Sequence, residues 1–229
     1  LREAVLIRLV RLLAADQHNG GVLLFGPDGK LYGTVGEATL ENLSQDLSSR
    51  NGKILRINSD GTIPADNPFQ GSAVWSYGWR NSFGLAFHPA TGDLWATDNG
   101  PTVDDEVNLV VKGGNYGWPL VTGNSGAPPL INPVYVLAQP VGITNIVALA
   151  ETPVYPTEYH NNLFFTDFVG GKIRRLVLDP TFKSLVSDSI VFDGGVGGLV
   201  PLKQGPDGYL YTSGPGAFYR VVPNPSSVH

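Results

Sequence analysis

Three polar segments hold most of the side chains that could do chemistry in this sequence. They are, in chain order, residues 16–21, 77–87 and 97–108. A histidine such as His18 titrates near neutral pH and can accept a proton, and an arginine such as Arg80 can stabilise negative charge that develops in a reaction. Alone, a histidine before two glycines is more typical of a turn, and an arginine can serve a surface ion pair instead. The residue types therefore permit polar catalysis without identifying it.

A tight acidic cluster, Asp104, Asp105 and Glu106, lies in the third segment. Carboxylates are hard oxygen donors that suit calcium, but a run of three acids is equally typical of a solvated loop. No Asp-x-Asp-x-Asp-Gly calcium loop is present in the sequence. The cluster therefore predicts either a role in calcium binding or an exposed acidic loop.

The composition excludes several classes of protein. The chain has 229 residues and no Cys, so it holds no disulfide, no thiolate metal site and no cysteine nucleophile. Its net charge of −5 argues against a general nucleic-acid surface. No apolar run approaches the roughly 20 residues that cross a bilayer. An apolar content of 42% argues against disorder, so we expect a sizeable folded core.

Short apolar runs bounded by Gly, Pro, Asn and Asp predict an all-β fold. Helical periodicity is almost absent after residue 15. The runs that predict strands are residues 22–25, 31–35, 53–58, 85–87, 93–97, 163–165, 172–178 and 210–212. These strands must position the three polar segments.

A turn motif recurs along the chain. The string Phe-Gly-Pro-Asp-Gly-Lys-Leu-Tyr at 25–32 returns as Gln-Gly-Pro-Asp-Gly-Tyr-Leu-Tyr at 204–211, with looser copies at 87–97 and 159–166. Each copy predicts strand, tight turn and strand, because Pro presets φ and Asp-Gly or Asn supplies the positive-φ positions. One such hairpin per repeat, at irregular spacing, is typical of β-propeller blades with loop insertions. A β-sandwich is the alternative.

The repeats predict about four blades of a β-propeller, with residues 1–229 as a single domain. The usual ring has six blades, and an open ring leaves unpaired edges that native proteins avoid. We therefore expect the chain to be a partial propeller, with residues 1–15 the remnant of an upstream blade or an extension.

Four strings give the sequence a specific resemblance to a known family. They are Asp-Gln-His-Asn-Gly-Gly at 16–21, Arg-Asn-Ser-Phe-Gly-Leu-Ala-Phe at 80–87, Asn-Gly-Pro-Thr-Val-Asp-Asp-Glu-Val-Asn at 99–108 and Gly-Gly-Asn-Tyr-Gly-Trp-Pro at 113–119. Together they resemble the glucose/sorbosone dehydrogenase family over about residues 16–222. The resemblance implies a six-bladed propeller of the quinoprotein glucose dehydrogenase type, which uses pyrroloquinoline quinone (PQQ) and calcium.

The resemblance also implies roles for individual residues. His18 matches the catalytic base that takes the proton of a sugar's C1 hydroxyl as hydride moves to the quinone. Arg80 and Asn81 match the pair that lies against the quinone, where a guanidinium would stabilise negative charge on its oxygen. Relatives flank the histidine with an acidic residue that orients it, and here that position is Gln17. An amide can hold the ring but cannot stabilise imidazolium as a carboxylate would.

The remaining cofactor positions follow from the same resemblance. Asn99 stands where the family has a polar group facing PQQ. Gly100 and Pro101 match the positions whose backbone carbonyls coordinate calcium, an ion that prefers several hard oxygens. Lys172 is a nearby cation that could contact PQQ.

Three cationic positions of the family are absent from this chain. They align with Val169, Gly198 and Val200. PQQ carries three carboxylates, and each one buried without a charged partner weakens binding by on the order of 1–3 kcal/mol. We therefore expect weaker PQQ binding than in a full enzyme, unless Lys172 or upstream blades supply cations.

Two further features have structural explanations available. The loop of residues 113–119 could be a packed turn between blades, although Trp118 or Trp79 could instead stack on a sugar ring. His88 and His160 lie in turns between predicted strands, and we interpret both as structural or exposed.

Three functions are compatible with these residues. The first is PQQ- and calcium-dependent oxidation of the C1 hydroxyl of an aldose, with a sugar substrate and an electron acceptor of unspecified kind. The second is a catalytically weak or inactive propeller that binds a carbohydrate or a protein. A lactonase-type hydrolase is a third reading, for which Asp98, Asn99 and Asn145 offer only a weak calcium ring. We expect no nucleic-acid partner and no membrane span, and family analogy favours a periplasmic or secreted protein.

Overall fold

The computed structural model describes residues 14–194 and 197–224, which are almost entirely β-structure. The strands in chain order are β1 Leu23–Phe25, β2 Leu31–Val35, β3 Lys53–Ile57, β4 Val74–Tyr77, β5 Gly84–Phe87, β6 Leu94–Asp98, β7 Asp105–Val110, β8 Tyr135–Leu137, β9 Ile143–Ala148, β10 Leu163–Asp167, β11 Lys172–Leu178, β12 Leu185–Asp193, β13 Leu202–Gln204, β14 Leu210–Gly214 and β15 Ala217–Val221. Short 3-10 helices at Glu41–Ser44, Gly123–Ser125 and Thr157–Tyr159 complete the elements of this part of the chain. The all-β prediction is confirmed.

The strands form four antiparallel sheets, each built from strands that are consecutive in sequence. Sheet 1 contains β1–β4, sheet 2 contains β5–β8, sheet 3 contains β9–β12 and sheet 4 contains β13–β15. The first strands neighbour one another, because β1 packs beside β5, β5 beside β9 and β9 beside β13. Sheets that follow one another around a shared set of inner strands are propeller blades. The prediction of four blades of a partial propeller is confirmed.

Apolar side chains fill the space between successive sheets. The cluster between sheets 1 and 2 includes Tyr32 and Leu85, and the cluster between sheets 2 and 3 includes Trp95 and Phe165. A third cluster joins sheets 3 and 4. A β-sandwich has one core between two sheets, whereas these residues form separate cores between three successive pairs. The sandwich alternative is therefore wrong.

The repeated turn adopts the geometry that its sequence predicts. Gly29 and Gly208 have φ of +71° and +86°, and Gly92 and Asn161 in the looser copies have φ of +74° and +61°. Positive φ lets the chain reverse between two antiparallel strands, and Gly and Asn reach it at low cost. At Gly208 an added Cβ would lie 2.0 Å from the hydroxyl oxygen of Thr152, so a side chain is excluded there by space as well.

The predicted runs coincide with the second strand of every sheet and with four others, and they miss seven strands. β2 and β11 have the predicted bounds, and the other predicted strands differ by one or two residues at their ends. The strands without a predicted run are β4, β7, β8, β9, β12, β13 and β15. The polar residues of β7 are buried, and β12 is exposed along most of its length, so neither strand has the mainly apolar composition on which the prediction depends.

The polar segments meet at one edge of the sheets. Because neighbouring strands are antiparallel, the first strand of each sheet begins beside the end of its second strand. In sheet 2, for example, Gly84 pairs with Thr97. We call this the site edge. There the loop of residues 78–83 leads from sheet 1 into sheet 2, and the loop of residues 99–104 joins β6 to β7. The residues after β2 lie at the same edge of sheet 1.

Two sequence predictions concern the chain's ends and its surroundings. The prediction for residues 1–15 falls almost wholly outside the described residues, which begin at residue 14. Across the described ranges, none of the helical elements is long and apolar enough to cross a membrane.

Candidate active site

His18 lies in the loop before β1 and contacts two charged side chains. Its Nδ1 is 2.7 Å from Oε1 of Glu37, and its Nε2 is 3.2 Å from a guanidinium nitrogen of Arg80. A guanidinium can only donate hydrogen bonds, so Nε2 must be the acceptor and Nδ1 must carry the proton that is donated to Glu37. His18 therefore presents an unprotonated Nε2, the state that a general base requires.

Glu37 is the residue that sequence reasoning missed. It lies two residues after β2, its side chain is 1% exposed, and its backbone N–H donates to the carbonyl of Arg80 at 2.9 Å. With Gln17 at the position of the family's orienting acid, we expected His18 to lack a carboxylate partner. That expectation is wrong, because Gln17 is exposed and Glu37 supplies the carboxylate. An acid just beyond a strand that ends at the site edge was the available signal. The sequence alone did not link Glu37 to His18, because the two residues are 19 positions apart.

The predicted quinone contacts converge on the same point. One guanidinium nitrogen of Arg80 donates to the carbonyls of Asn99 and Gly100, each at 2.9 Å, and its guanidinium carbon is 5.4 Å from the ring centroid of Trp118. The amide oxygen of Asn81 accepts from the backbone N–H of Gly20 at 3.2 Å, two residues after His18. The structure therefore brings His18, Arg80, Asn81, Asn99 and Gly100 together.

Two residues of the acidic cluster after Pro101 are buried, and the third, Asp104, is half-buried. Asp105 is 1% exposed, and its carboxylate accepts from the backbone N–H groups of Gly100, Val141 and Gly142 at 2.7–2.9 Å. Glu106 is 8% exposed and accepts from the N–H of Gly123 at 2.8 Å. The expectation of an exposed acidic loop is therefore wrong for these two residues, because each carboxylate anchors backbone of a neighbouring loop.

Two buried carboxylates face each other across β6 and β7, where Asp98 pairs with Glu106. Burial, and then the Glu106 carboxylate, raise the pKa of Asp98 to about 8. Burial, helped by the nearby Asp104 and Asp105, raises the pKa of Glu106 to about 7. A cation bound beside this pair would lower both pKa values, since it favours the charged forms.

The donors around this pair fit a calcium ion. A small cavity is lined by Gly100, Pro101, Asp104 and Glu106, among other residues. The side-chain oxygen of Asn99, which also lines it, is buried and has no hydrogen-bond partner. Hard oxygens without partners are what calcium requires. No three acidic or imidazole side chains within residues 14–194 and 197–224 are grouped to hold a metal, so backbone carbonyls must supply part of the coordination.

The remaining PQQ positions fit less well. Lys172 lies at the start of β11 on the site edge, and its amino group is 3.0 Å from the carboxylate of Asp193. Val169 and Val200 are 71% and 46% exposed, and Gly198 has φ of +84°. No charge occupies these three positions, so at these points the described residues would leave the carboxylates of a bound PQQ short of cations.

The aromatic loop and the other histidines have structural roles. Trp79 is fully buried and stacks on Tyr116 at 4.0 Å between ring centroids, so it cannot stack on a sugar. Trp118 is 8% exposed, which favours the packed-turn interpretation. His88 is 1% exposed; its Nδ1 accepts from the N–H of Ala90, so its Nε2 donates to the carbonyl of Asn161 at 2.8 Å. His160 is partly buried, with Nε2 2.9 Å from the carbonyl of Thr152.

Comparison with known proteins identifies the family. Residues 3–219 match the sequence model of the glucose/sorbosone dehydrogenase family. The chain is 32% identical over 223 residues to the aldose sugar dehydrogenase YliI of Escherichia coli, covering 87% of this chain and 57% of that protein. It is 42% identical over 137 residues to quinoprotein glucose dehydrogenase B of Acinetobacter calcoaceticus, covering 50% of this chain and 28% of that one.

Comparison of the fold with solved structures gives the same family. The PQQ-bound aldose sugar dehydrogenase of Streptomyces coelicolor superposes with a TM-score of 0.77 at 32% identity, covering 88% of this chain and 57% of that one. The chain spans 53% and 57% of the length of two curated relatives that it matches. Similarity over nearly all of this chain, in sequence and in fold, leads to one conclusion: the chain is a member of the glucose/sorbosone dehydrogenase family.

Proposed function

We propose that this chain carries the base and quinone-facing residues of a PQQ- and calcium-dependent dehydrogenase that oxidises the C1 hydroxyl of an aldose. The observation that carries the proposal is the unprotonated Nε2 of His18, held between Glu37 and Arg80. A histidine in this state can take the hydroxyl proton at neutral pH. The family match and the PQQ-bound relative support sugar oxidation as the reaction class.

The chain's own residues would divide the work. His18 Nε2 accepts the C1 hydroxyl proton, and the resulting imidazolium is stabilised by the buried Glu37 carboxylate at Nδ1. Bound PQQ would supply a quinone that accepts hydride. Arg80 would stabilise the negative charge on that acceptor once its guanidinium turns from His18 and Gly100. Asn81 and Asn99 complete the polar wall of the site.

Reconstitution tests the proposal directly. The protein would be mixed with calcium and PQQ, and reduction of a dye acceptor would be followed with glucose and other aldoses. We expect sugar-dependent dye reduction together with a change in PQQ absorbance on titration. Absence of both signals would overturn the enzyme proposal for this chain.

The uncharged positions favour a second candidate. Val169, Gly198 and Val200 leave the carboxylates of PQQ without cations at those points, which supports a weak or inactive propeller that binds a carbohydrate or a protein. Under this candidate, PQQ will not raise the melting temperature, whereas a glycan or partner protein will. Both candidates are compatible with a periplasmic or secreted location, which we propose by family analogy.

Removing the negative charge at Glu37 should slow the reaction. In Glu37→Gln the amide oxygen can still accept from Nδ1 of His18, but the imidazolium loses its buried counter-charge. We expect kcat to fall roughly tenfold or more, because the base is less able to hold a proton. The measurement is steady-state dye reduction, with the exposed Glu41→Gln as the matched control. An unchanged kcat in Glu37→Gln would contradict the role given to this carboxylate.

Calcium should stabilise the protein through the buried acidic pair. An ion at the cavity beside Gly100 would neutralise Glu106, so we expect added calcium to raise the melting temperature. Glu106→Gln should lose most of that increase, and Glu41→Gln should keep it. Differential scanning fluorimetry with calcium and with a chelator gives the result. An equal increase in all three proteins would remove Glu106 from calcium binding.

A further inference from the structure

Asp98 is a buried carboxylate that the proposed reaction does not use. It is the last residue of β6 and is 6% exposed. One carboxylate oxygen accepts from the backbone N–H of Arg80 at 2.7 Å, and the other accepts from the backbone N–H of Asn81 at 2.6 Å. Two short bonds to consecutive amides fix both the position and the direction of this dipeptide.

Arg80 also bonds back to the residues that follow Asp98. The guanidinium of Arg80 donates to the carbonyls of Asn99 and Gly100, the two residues that follow Asp98. The loop of residues 78–83 and the end of β6 are therefore joined by hydrogen bonds in which each side contributes both side-chain and backbone groups. Because both of these bonds from Asp98 go to backbone amides, they fix the dipeptide without using the side chains of Arg80 and Asn81.

The repeat provides a comparison within the molecule. Sheet 3 ends its second strand with Thr-Asp as sheet 2 does, so Asp167 occupies the position of Asp98. Asp167 is also buried, at 1% exposed, but its carboxylate accepts from the N–H of Gly170 at 2.7 Å, within its own turn. The same repeat position thus closes a local turn in sheet 3, whereas in sheet 2 it reaches 17 and 18 residues back to the site.

We propose that Asp98 is a positioning residue that fixes the backbone of Arg80 and Asn81 so that their side chains meet the bound cofactor and substrate. The proposal rests on the function proposed above for the site. Asparagine at this position has one acceptor oxygen, and its amide N–H₂ would face a second donor. Asp98→Asn must therefore release at least one of the two amides, although its size is unchanged.

Two measurements test the contact without any turnover. In the unmodified protein, amide proton NMR should place Arg80 and Asn81 downfield, as expected for short bonds to a carboxylate. In Asp98→Asn, hydrogen–deuterium exchange at these amides should rise roughly tenfold or more. Asp167→Asn, the matched control, keeps one acceptor oxygen for the amide of Gly170 and should leave Gly170, Arg80 and Asn81 protected. Ordinary amide shifts, or unchanged exchange in Asp98→Asn, would overturn the proposal.

A double-mutant cycle tests the functional part in the reconstituted protein. Misplacing a catalytic group by about 1 Å can reduce rate up to roughly hundredfold, so we expect Asp98→Asn to lower kcat/KM by roughly ten- to hundredfold. The same change should cost clearly less in an Arg80→Ala background, because the part of its effect that acts through Arg80 is already lost there. Additive losses would overturn the positioning role. If the unmodified protein shows no turnover, the proposed function fails, while amide exchange still decides whether Asp98 holds the dipeptide.

Discussion

Replacing His18 with alanine is expected to reduce dye-linked sugar oxidation by roughly 10²–10⁴-fold, the usual contribution of a general base. The hydroxyl proton would then have no acceptor at the position that Nε2 occupies. PQQ binding should change little, because the groups assigned to the quinone, Arg80 and Asn81, keep their backbone contacts to Asp98. We therefore expect His18→Ala to lose turnover and to keep PQQ binding.

The experiment compares three proteins. Turnover and PQQ absorbance titrations would be measured for the unmodified chain, for His18→Ala and for His160→Ala. His160 is a partly buried histidine bonded to the carbonyl of Thr152, so its loss should affect stability but not rate. Equal activity in His18→Ala would remove this residue from the mechanism, and loss of PQQ binding would show that it acts on the cofactor instead.

Replacing Lys53 with methionine is expected to have the largest effect on stability. Lys53 is fully buried at the start of β3, and its ammonium donates to the carbonyls of Leu43, Ser44 and Asn51 at 2.7, 3.1 and 2.7 Å. Methionine fills similar space but removes the charged donor that joins these three carbonyls, of which those of Leu43 and Ser44 keep the backbone N–H groups of Asp46 and Gly78. A hydrogen bond from a charged group contributes about 1.5–3 kcal/mol, so we expect the free energy of unfolding at pH 7 to fall by on the order of 2 kcal/mol.

The same substitution should change the pH dependence of stability. Burial lowers the pKa of Lys53 from 10.5 to about 8. Between these values the unfolded chain holds one more proton than the folded chain, so the unmodified protein gains stability as pH rises from about 8 to 10.5. Lys53→Met lacks this group. The difference in unfolding free energy between the two proteins should therefore grow over that range, by at most on the order of 3 kcal/mol.

Urea unfolding at several pH values measures this difference. Lys30→Met is the matched control, because Lys30 is partly exposed and its amino group bonds only the side chain of Asn58 among the described residues. The difference in unfolding free energy between Lys30→Met and the unmodified protein should stay constant between pH 8 and 10.5. A constant difference for Lys53→Met as well would show that Lys53 titrates normally in the folded state.

Lys53 also links both partners of His18. Ser44, whose carbonyl accepts from Lys53, donates its hydroxyl to the carbonyl of Trp79, the residue before Arg80. Asn51, whose carbonyl also accepts from Lys53, donates its side-chain amide to the carbonyl of Gly36, the residue before Glu37. Loss of stability and loss of the site geometry are therefore expected together in Lys53→Met.

The fold was largely predictable because its signals are local. The Asp-Gly turns and the apolar runs beside them are read within ten residues, and Gly29 and Gly208 have the expected positive φ. The outer strand β7 was not predictable in this way, since Asp105 and Glu106 look like loop residues. Their burial depends on amides supplied by Val141, Gly142 and Gly123, which lie 17 to 37 residues away.

The site was predictable only where a family string marks it. His18, Arg80, Asn81, Asn99 and Gly100 were identified in this way and lie together in the structure. Glu37 was not identified, and Asp98 was named only in the weak calcium ring of the lactonase reading, because each acts across a loop, on a partner far along the chain. Contacts between loops of successive sheets depend on how the sheets stack, and a single sequence carries no local sign of that.

The contact between Arg80 and Trp118 gives the site an internal optical signal. The guanidinium lies 5.4 Å from the indole centroid and also donates to the carbonyl of Gly100. A ligand or ion that takes that carbonyl must move a positive charge away from the ring face, which changes the electric field that the indole experiences. Tryptophan fluorescence would therefore report occupancy without a dye, against the background of the half-buried Trp75 and the fully buried Trp79 and Trp95.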